Sequence, residues 1–153
     1  MSAYMPLIQH FSSDLETKMR NITHVAEKAA PTVLVVDDEA LIRWSVAEML
    51  SERGYLVTEA GDGRTATAAV ESAAEPFDVV LLDYRLPDSA DFRLLERVRR
   101  MAPTSQVIMI TAHNSPELAQ RAAALGAFRV ISKPFEVESL AALVDEARGG
   151  PAA

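Results

Sequence analysis

Five side chains with acidic, basic or hydroxyl chemistry stand at or near the ends of short apolar runs. They are Asp37, Asp38, Asp83, Thr111 and Lys133. Grouped carboxylates repel one another and need a cation, and oxygen ligands without histidine or cysteine favour Mg²⁺, or Mn²⁺. We expect Asp38 and Asp83 to be direct metal ligands, with Asp37 binding directly or through water.

Asp83 is the candidate nucleophile of this group. A bound cation, the Lys133 ammonium group and the Thr111 hydroxyl group would offer positive charge and a hydrogen-bond donor to a phosphoryl group on one carboxylate oxygen. The product would be an aspartyl-phosphate. Such a transfer depends on positioning and charge neutralisation more than on proton shuttling.

The elements that must position these residues follow from hydrophobic periodicity after Pro31. Three runs, VLVV, VVLL and VIMI, are apolar without alternation, which is typical of strands buried on both faces of a parallel sheet. The predicted strands are Thr32–Val36, Tyr55–Ala60, Phe77–Leu82, Gln106–Ile110 and Phe128–Ser132. The predicted helices between and after them are Ala40–Arg53, Gly63–Glu75, Ala90–Met101, Ser115–Leu125 and Val137–Arg148.

Five such strand–helix units predict an α/β fold. We expect a doubly wound, flavodoxin-like sheet of five parallel strands in the order 2-1-3-4-5, with helices on both faces and an N-terminal helical extension. Ligands of such sheets bind beyond the carboxyl ends of the strands. Because strands one, three, four and five are neighbours in this order, their end residues should converge on one shallow pocket.

Composition excludes several classes of protein. The 153 residues include no cysteine, so disulfides, thiolate catalysis and zinc–cysteine sites are excluded. No apolar run approaches the roughly 18 residues of a membrane span, and the N-terminus does not resemble a secretory signal. Residues 1–30 carry three acidic and three basic side chains, so the net charge of −7 falls after residue 30. We therefore expect a cytoplasmic protein without direct nucleic-acid or membrane partners.

Three segments are predicted along the chain: an extension over residues 1–30, a domain over residues 31–149 and a disordered tail over residues 150–153. Ser13-Asp14-Leu15-Glu16 matches a capping box, which would begin a helix near residue 14. Apolar residues recur at heptad-like spacing through the extension, although Lys18 interrupts them. The extension could be an amphipathic helix packed on its own domain or mobile, a dimerising helix, or a docking segment for another protein.

The chain from about Pro31 to Arg148 resembles the receiver domain of two-component response regulators, of the chemotaxis-regulator type. Four motifs carry the resemblance: Val33–Glu39 (VLVVDDE), Val79–Asp88 (VVLLDYRLPD), Val107–Ala112 (VIMITA) and Val130–Phe135 (VISKPF). It implies that a sensor histidine kinase, a phosphotransfer protein or a small phosphodonor phosphorylates the aspartate matching Asp83. It also implies a signalling domain and not an enzyme, with only self-phosphorylation and slow auto-dephosphorylation.

The resemblance also implies roles for individual residues. The acidic pair Asp37 and Asp38 would bind Mg²⁺ with Asp83, helped by the backbone carbonyl of Arg85. Thr111 and Lys133 would contact the phosphoryl group, and the peptide bond before Pro134 would be cis. Output would pass to a downstream protein through the face of helix four, strand five and helix five, and a homodimer is a further expectation.

Two positions depart from the family's usual pattern. Asp91 stands where a glycine commonly follows the acceptor, so helix three could begin differently. Val130 stands where the family usually has a tyrosine or phenylalanine that turns inward on phosphorylation, and it cannot act as a large rotor. Phe128, two residues earlier and on the same strand face by alternation, is either the substitute or ordinary packing.

Further side chains are candidates for tuning the site. Arg85 and His113 each stand two residues past a site residue, where the family controls how long the aspartyl-phosphate survives. Ala112 and Pro134 adjoin the site residues Thr111 and Lys133 and belong to the same modulating set.

Three other classes of protein compete with this interpretation. A phosphatase of the haloacid-dehalogenase type needs an acid/base aspartate where Arg85 stands. A nucleotide-binding module needs a glycine-rich turn after strand one, where Asp37-Asp38-Glu39 stands instead. A degenerate receiver that binds partners without phosphorylation is the alternative function, and Val130 keeps it open. Sequence does not separate a stand-alone receiver from a piece of a longer regulator.

Overall fold

The computed structural model describes residues 15, 16 and 18 and residues 30–149. Helices and strands alternate along the second range, in the order β1 (Thr32–Val36), α1 (Ala40–Glu52), β2 (Leu56–Ala60), α2 (Gly63–Ser72), β3 (Val79–Asp83), α3 (Arg93–Met101), β4 (Gln106–Thr111), α4 (Pro116–Ala124), β5 (Ala127–Ser132) and α5 (Val137–Ala147). Leu15, Glu16 and Lys18 are helical. The other predictions for residues 1–30 and for the tail lie outside the described residues, and the domain boundaries stay predictions.

The five strands form one parallel sheet in the order β2-β1-β3-β4-β5, which confirms the predicted topology. β3 runs through Asp83 and β4 through Thr111, each one residue further than the apolar run alone predicts. Both polar residues are therefore the last residues of strands and not the first residues of loops. None of the helices in the described ranges is long and apolar enough to cross a bilayer.

Alternation along the central strands divides the hydrophobic core into two clusters, one on each face of the sheet. Leu34, Val80 and Met109 pack on the face that α2, α3 and α4 cover. Val33, Leu81 and Ile108 pack on the opposite face with side chains of α1 and α5. Because both faces are covered, β3 is buried along its whole length, as the unalternating apolar run predicts.

Side-chain caps mark the start of two of the predicted helices. The Asp62 side chain accepts a hydrogen bond from the amide of Thr65 at 2.7 Å and caps α2. The Ser115 hydroxyl accepts a hydrogen bond from the amide of Leu118 at 3.1 Å, with Pro116 in the first turn of α4. These caps fix where two of the three helices on one face of the sheet begin.

The helix after β3 begins at Arg93, three residues later than predicted. Leu86 and Ser89 exchange two backbone hydrogen bonds at 2.8 and 3.2 Å, which closes a tight turn within the loop. The Asp88 carboxylate then accepts hydrogen bonds from the amides of Gly63 at 2.7 Å and Arg64 at 3.0 Å, at the N-terminus of α2. Residues 90–92, which helical periodicity assigned to the helix, therefore belong to the loop before it.

Candidate functional site

The carboxyl edge of the sheet brings the five predicted site residues together. Asp37 and Asp38 follow β1, Asp83 ends β3, Thr111 ends β4, and Lys133 follows β5. Asp37, Asp83 and Thr111 are buried, with 2%, 6% and 3% of their surface exposed, whereas Asp38 is exposed. Asp38 therefore lies at the mouth of the site.

Three carboxylates form a cluster at this edge. Asp37, Asp38 and Asp83 each offer an oxygen atom, and these oxygens all lie within 4.8 Å of one another. Charges at such distances in a partly buried site repel one another strongly, because little water screens them. A cation is therefore the natural complement of the cluster.

Lys133 supplies part of that positive charge. Its Nζ donates hydrogen bonds to Asp83 Oδ2 at 3.0 Å and to Glu39 Oε1 at 3.1 Å. It also lies 3.0 Å from Asp37 Oδ2, an ion-pair distance, but this contact lacks the angles of a hydrogen bond and leaves that buried oxygen without a donor. The role of Glu39 was missed at the sequence level, where it was seen only as part of an acidic run.

The pKa values of Asp83 and Lys133 are both raised above their usual values. Burial raises the pKa of Asp83, and the charge of Asp37 adds to this, while the hydrogen bond from Lys133 opposes it. Burial acts to lower the pKa of Lys133, but the close carboxylates of Asp37, Asp83 and Glu39 outweigh it and leave the pKa raised. Lys133 is therefore charged throughout the physiological pH range.

The backbone around the site directs its polar atoms. The Arg85 amide donates a hydrogen bond to Asp83 Oδ1 at 3.2 Å, and the His113 amide donates one to Thr111 Oγ1 at 3.2 Å. The Thr111 hydroxyl hydrogen stays available for an acceptor in the pocket. The Lys133–Pro134 peptide bond is cis, as the family resemblance implied.

The donor set fits a hard divalent cation. Three carboxylates converge, and one buried oxygen of Asp37 accepts no hydrogen bond in the structure. Asp37, Asp38 and Asp83 would hold the ion. The metal-binding role of the Arg85 carbonyl stays a prediction.

Phe128 lies on the other face of the sheet from Val130, which corrects the prediction from alternation. Val107 pairs with Ala127 whereas Ile108 pairs with Arg129, so Phe128 is the extra residue of a β-bulge. Val130 packs on the core cluster under α2, α3 and α4, and Phe128 packs on the cluster under α1 and α5. A bulge shifts the alternation of side chains by one residue, and β5 itself contains no glycine or proline that would mark the bulge in the sequence.

The chain belongs to the response regulator receiver domain family, whose model matches residues 33–145. A curated relative, the transcriptional regulatory protein PdtaR of Mycobacterium tuberculosis, is 39% identical over 126 residues, which span 80% of this chain and 59% of that protein. The chain thus matches about three fifths of the length of this relative. The family resemblance and the predicted fold class are both confirmed.

Two solved structures are similar in fold and sequence. A CheY-like response regulator receiver domain protein from Methanospirillum hungatei superimposes with a TM-score of 0.73 and 30% identity, covering 78% of this chain and 94% of that chain. A response regulator protein from Burkholderia pseudomallei, with a phosphorylated aspartic acid, calcium ion and citrate, gives a TM-score of 0.69 and 26% identity, covering 77% of this chain and 68% of that chain.

Proposed function

We propose that Asp83 accepts a phosphoryl group from a sensor histidine kinase, a phosphotransfer protein or a small phosphodonor, in a reaction that depends on Mg²⁺ or Mn²⁺. One observation carries the proposal: the buried Asp83 carboxylate lies both within the carboxylate cluster and 3.0 Å from the Lys133 ammonium group. The phosphorylated aspartic acid and calcium ion of the Burkholderia relative support the same chemistry for this chain.

The transfer forms a bond between an Asp83 carboxylate oxygen and phosphorus and breaks the bond from phosphorus to the donor. With a phosphohistidine the leaving group is the imidazole, and with acetyl phosphate it is acetate. Lys133 compensates negative charge on the new phosphoryl group, and the Thr111 hydroxyl donates a hydrogen bond to it. Asp37, Asp38 and Asp83 would hold a divalent cation, and that cation would supply positive charge to carboxylates that otherwise repel the phosphoryl donor.

The domain then acts as a signalling module and not as an enzyme, with self-phosphorylation and slow auto-dephosphorylation as its only chemistry. The expected output surface is the face of α4, β5 and α5, where a downstream protein or a second copy would bind. The alternative is a degenerate receiver that binds partners without phosphorylation. Val130 favours that alternative, since the usual aromatic rotor is missing at its position.

Intact-mass analysis after incubation with acetyl phosphate and Mg²⁺ tests the proposal. Wild type should gain the mass of one phosphoryl group, and Asp83→Asn should not. Asp78→Asn, just before β3 and at its opposite end, is the matched control and should react like wild type, since its carboxylate accepts hydrogen bonds from Thr32, the first residue of β1. Absence of the adduct on wild type supports the degenerate receiver, and an adduct on Asp83→Asn moves the chemistry to another residue.

A further inference from the structure

A guanidinium group from α1 holds the main chain between the two acidic residues that follow β1. Arg43 Nη1 donates a hydrogen bond to the carbonyl oxygen of Asp37 at 2.7 Å, and Arg43 Nε donates one to Glu59 Oε1 at 3.2 Å. The Asp37 carbonyl belongs to the peptide group that joins Asp37 to Asp38. Arg43 therefore contacts the backbone of the carboxylate cluster from outside.

The end of the strand explains why this carbonyl needs a side-chain donor. The Asp37 amide still donates to the Ala60 carbonyl at 3.1 Å, which continues the pairing of β1 with β2. The Asp37 carbonyl lies beyond the last paired residue of β1, in a residue that is only 2% exposed. A buried carbonyl left without a donor is destabilising, and Arg43 supplies the donor.

Two neighbours fix the position of the Arg43 guanidinium group. Glu59 on β2 accepts from Nε, and the planar guanidinium group then has one orientation in which both bonds form. Gly61 leaves room for it, because a Cβ atom at this position would lie 3.3 Å from Arg43 Nη1. The Arg43 and Glu59 side chains are 23% and 42% exposed, so their ion pair adds little stability and serves mainly to orient the group.

The same short loop is fixed from its other side. Asp37 Oδ1 accepts a hydrogen bond from the Glu39 amide at 2.8 Å, which closes a turn around Asp38. The peptide group before Asp38 is therefore held at its carbonyl by Arg43, and the peptide group after Asp38 is held at its amide by the Asp37 carboxylate. These two peptide groups set the direction in which the Asp38 side chain leaves the main chain.

We propose that Arg43 is a positioning residue of the metal site, oriented by Glu59 and given room by Gly61, which aims Asp37 and Asp38 at a common divalent cation. The proposal rests on the proposed function, since it concerns the same carboxylate cluster. Partners that orient metal ligands from outside typically change metal affinity by about 10–100-fold when they are removed. We expect about a tenfold loss for Arg43→Met, at the lower end of that range, because all three carboxylates remain.

The test is the equilibrium affinity for Mn²⁺, measured from the electron paramagnetic resonance signal of the free ion, with Mg²⁺ as competitor. Urea unfolding in metal-free buffer gives the folded fraction of each variant. Arg43→Met should bind about tenfold more weakly. Arg129→Met is the matched control, because it removes a surface arginine–glutamate pair of the same kind, with Glu146 at 3.1 Å. It should bind like wild type.

The outcomes separate this inference from the proposed function. Wild type that binds no divalent cation overturns both. Wild type that binds, with Arg43→Met at equal affinity, overturns the positioning role and leaves the acceptor proposal intact. An affinity loss in Arg43→Met that disappears after correction for its unfolded fraction also overturns the positioning role, because it would show a structural effect alone.

Discussion

Lys133 and Asp83 are fifty residues apart in the chain, and their side chains meet at 3.0 Å between Nζ and Oδ2. The same ammonium group lies 3.0 Å from Asp37 Oδ2 and 3.1 Å from Glu39 Oε1. One ammonium group therefore serves the carboxylates of Asp37, Glu39 and Asp83, and a fourth carboxylate, Asp38, belongs to the same cluster as Asp37 and Asp83. Lys133 alone cannot balance this charge, so we expect a divalent cation to bind beside it and the ammonium group to compete with that cation.

Lys133→Met should tighten Mg²⁺ binding and slow phosphorylation. Removing the ammonium group takes away a positive charge beside the cation site, so we expect about tenfold tighter binding, the factor that about 1.4 kcal/mol produces. The phosphoryl group would lose a charge partner, so adduct formation from acetyl phosphate should fall by a larger factor. Mg²⁺ titration and the time course of the intact-mass change measure the two effects.

The same variant should be less stable without metal. Three carboxylates lose their shared cation, and breaking a buried ion pair costs about 3–5 kcal/mol. Urea unfolding with and without Mg²⁺ should show that the ion stabilises Lys133→Met more than wild type. Arg100→Met, an exposed cation on α3, is the control. Weaker Mg²⁺ binding by Lys133→Met would contradict the competition between ammonium group and metal.

His113→Ala should change the lifetime of the aspartyl-phosphate several-fold and leave Mg²⁺ affinity unchanged. The exposed His113 side chain stands two residues past Thr111, and only its backbone amide bonds to the Thr111 hydroxyl, at 3.2 Å. Alanine keeps that amide, so a change in lifetime reports the imidazole at the mouth of the site. Decay of purified phosphoprotein, followed by intact mass, gives the rate, and equal decay in both proteins would refute the role.

The sheet order and the site edge were predictable from sequence for a physical reason. Strands buried on both faces must be apolar throughout, so VLVV, VVLL and VIMI identify the central strands, and a polar residue can stand only where such a strand ends. Asp83 and Thr111 are those residues, and parallel strands bring their ends to one edge. The chemistry of the site thus follows from the same pattern as the fold.

Contacts that depend on orientation were not predictable. Arg43 donates a hydrogen bond to the Asp37 carbonyl, and the Gly63 amide at the start of α2 donates one to Asp88. Residues of these types are common on any protein surface, so their presence predicts neither contact. The β-bulge at Phe128 depends on how β5 pairs with β4, which no local pattern specifies. Each of these contacts is tertiary, so periodicity carries no information about it.

Tyr55 should titrate well above the ordinary pKa of a tyrosine. Its hydroxyl donates to Asp145 and accepts from Arg148 Nε at 3.0 Å, at the end of α5. Burial, together with the hydrogen bond and charge of Asp145, raises its pKa from 10.0 to about 12. Since the folded pKa lies above the unfolded one, the stabilisation is complete below about pH 10 and is lost as pH rises through about 12.

Tyrosinate absorbance after rapid pH jumps measures this pKa. The chain has three tyrosines, so wild type should show a late transition near pH 12 that Tyr55→Phe lacks. Asp145→Asn should move that transition toward lower pH, because the neighbouring negative charge is gone. Urea midpoints between pH 10 and 12 should fall more steeply for wild type than for Tyr55→Phe. Titration of Tyr55 near pH 10 would contradict the Tyr55–Asp145 interaction.

The Phe128 ring should stay in place when the acceptor site carries a phosphate mimic. The bulge puts Phe128 on the α1 and α5 side of the sheet, and the Arg129 guanidinium group lies 4.8 Å from the centre of its ring. A ring in this position cannot fill space vacated near Thr111 on the Val130 side. The hypothesis that Phe128 replaces the usual aromatic ring required Phe128 and Val130 to share a face of the sheet, and they lie on opposite faces.

Fluorine-labelled phenylalanine with beryllofluoride and Mg²⁺ tests this expectation. Phe92 is the internal reference, because its ring lies 5.2 Å from that of Tyr84, the residue directly after Asp83. The Phe92 resonance should shift on adding the mimic, which shows that the site is occupied, while the Phe128 resonance should not. A Phe128 shift larger than that of Phe92 would restore it as the moving ring. In that event phosphorylation would change the packing on the α1 and α5 face of the sheet, since Phe128 and Val130 pack on opposite faces.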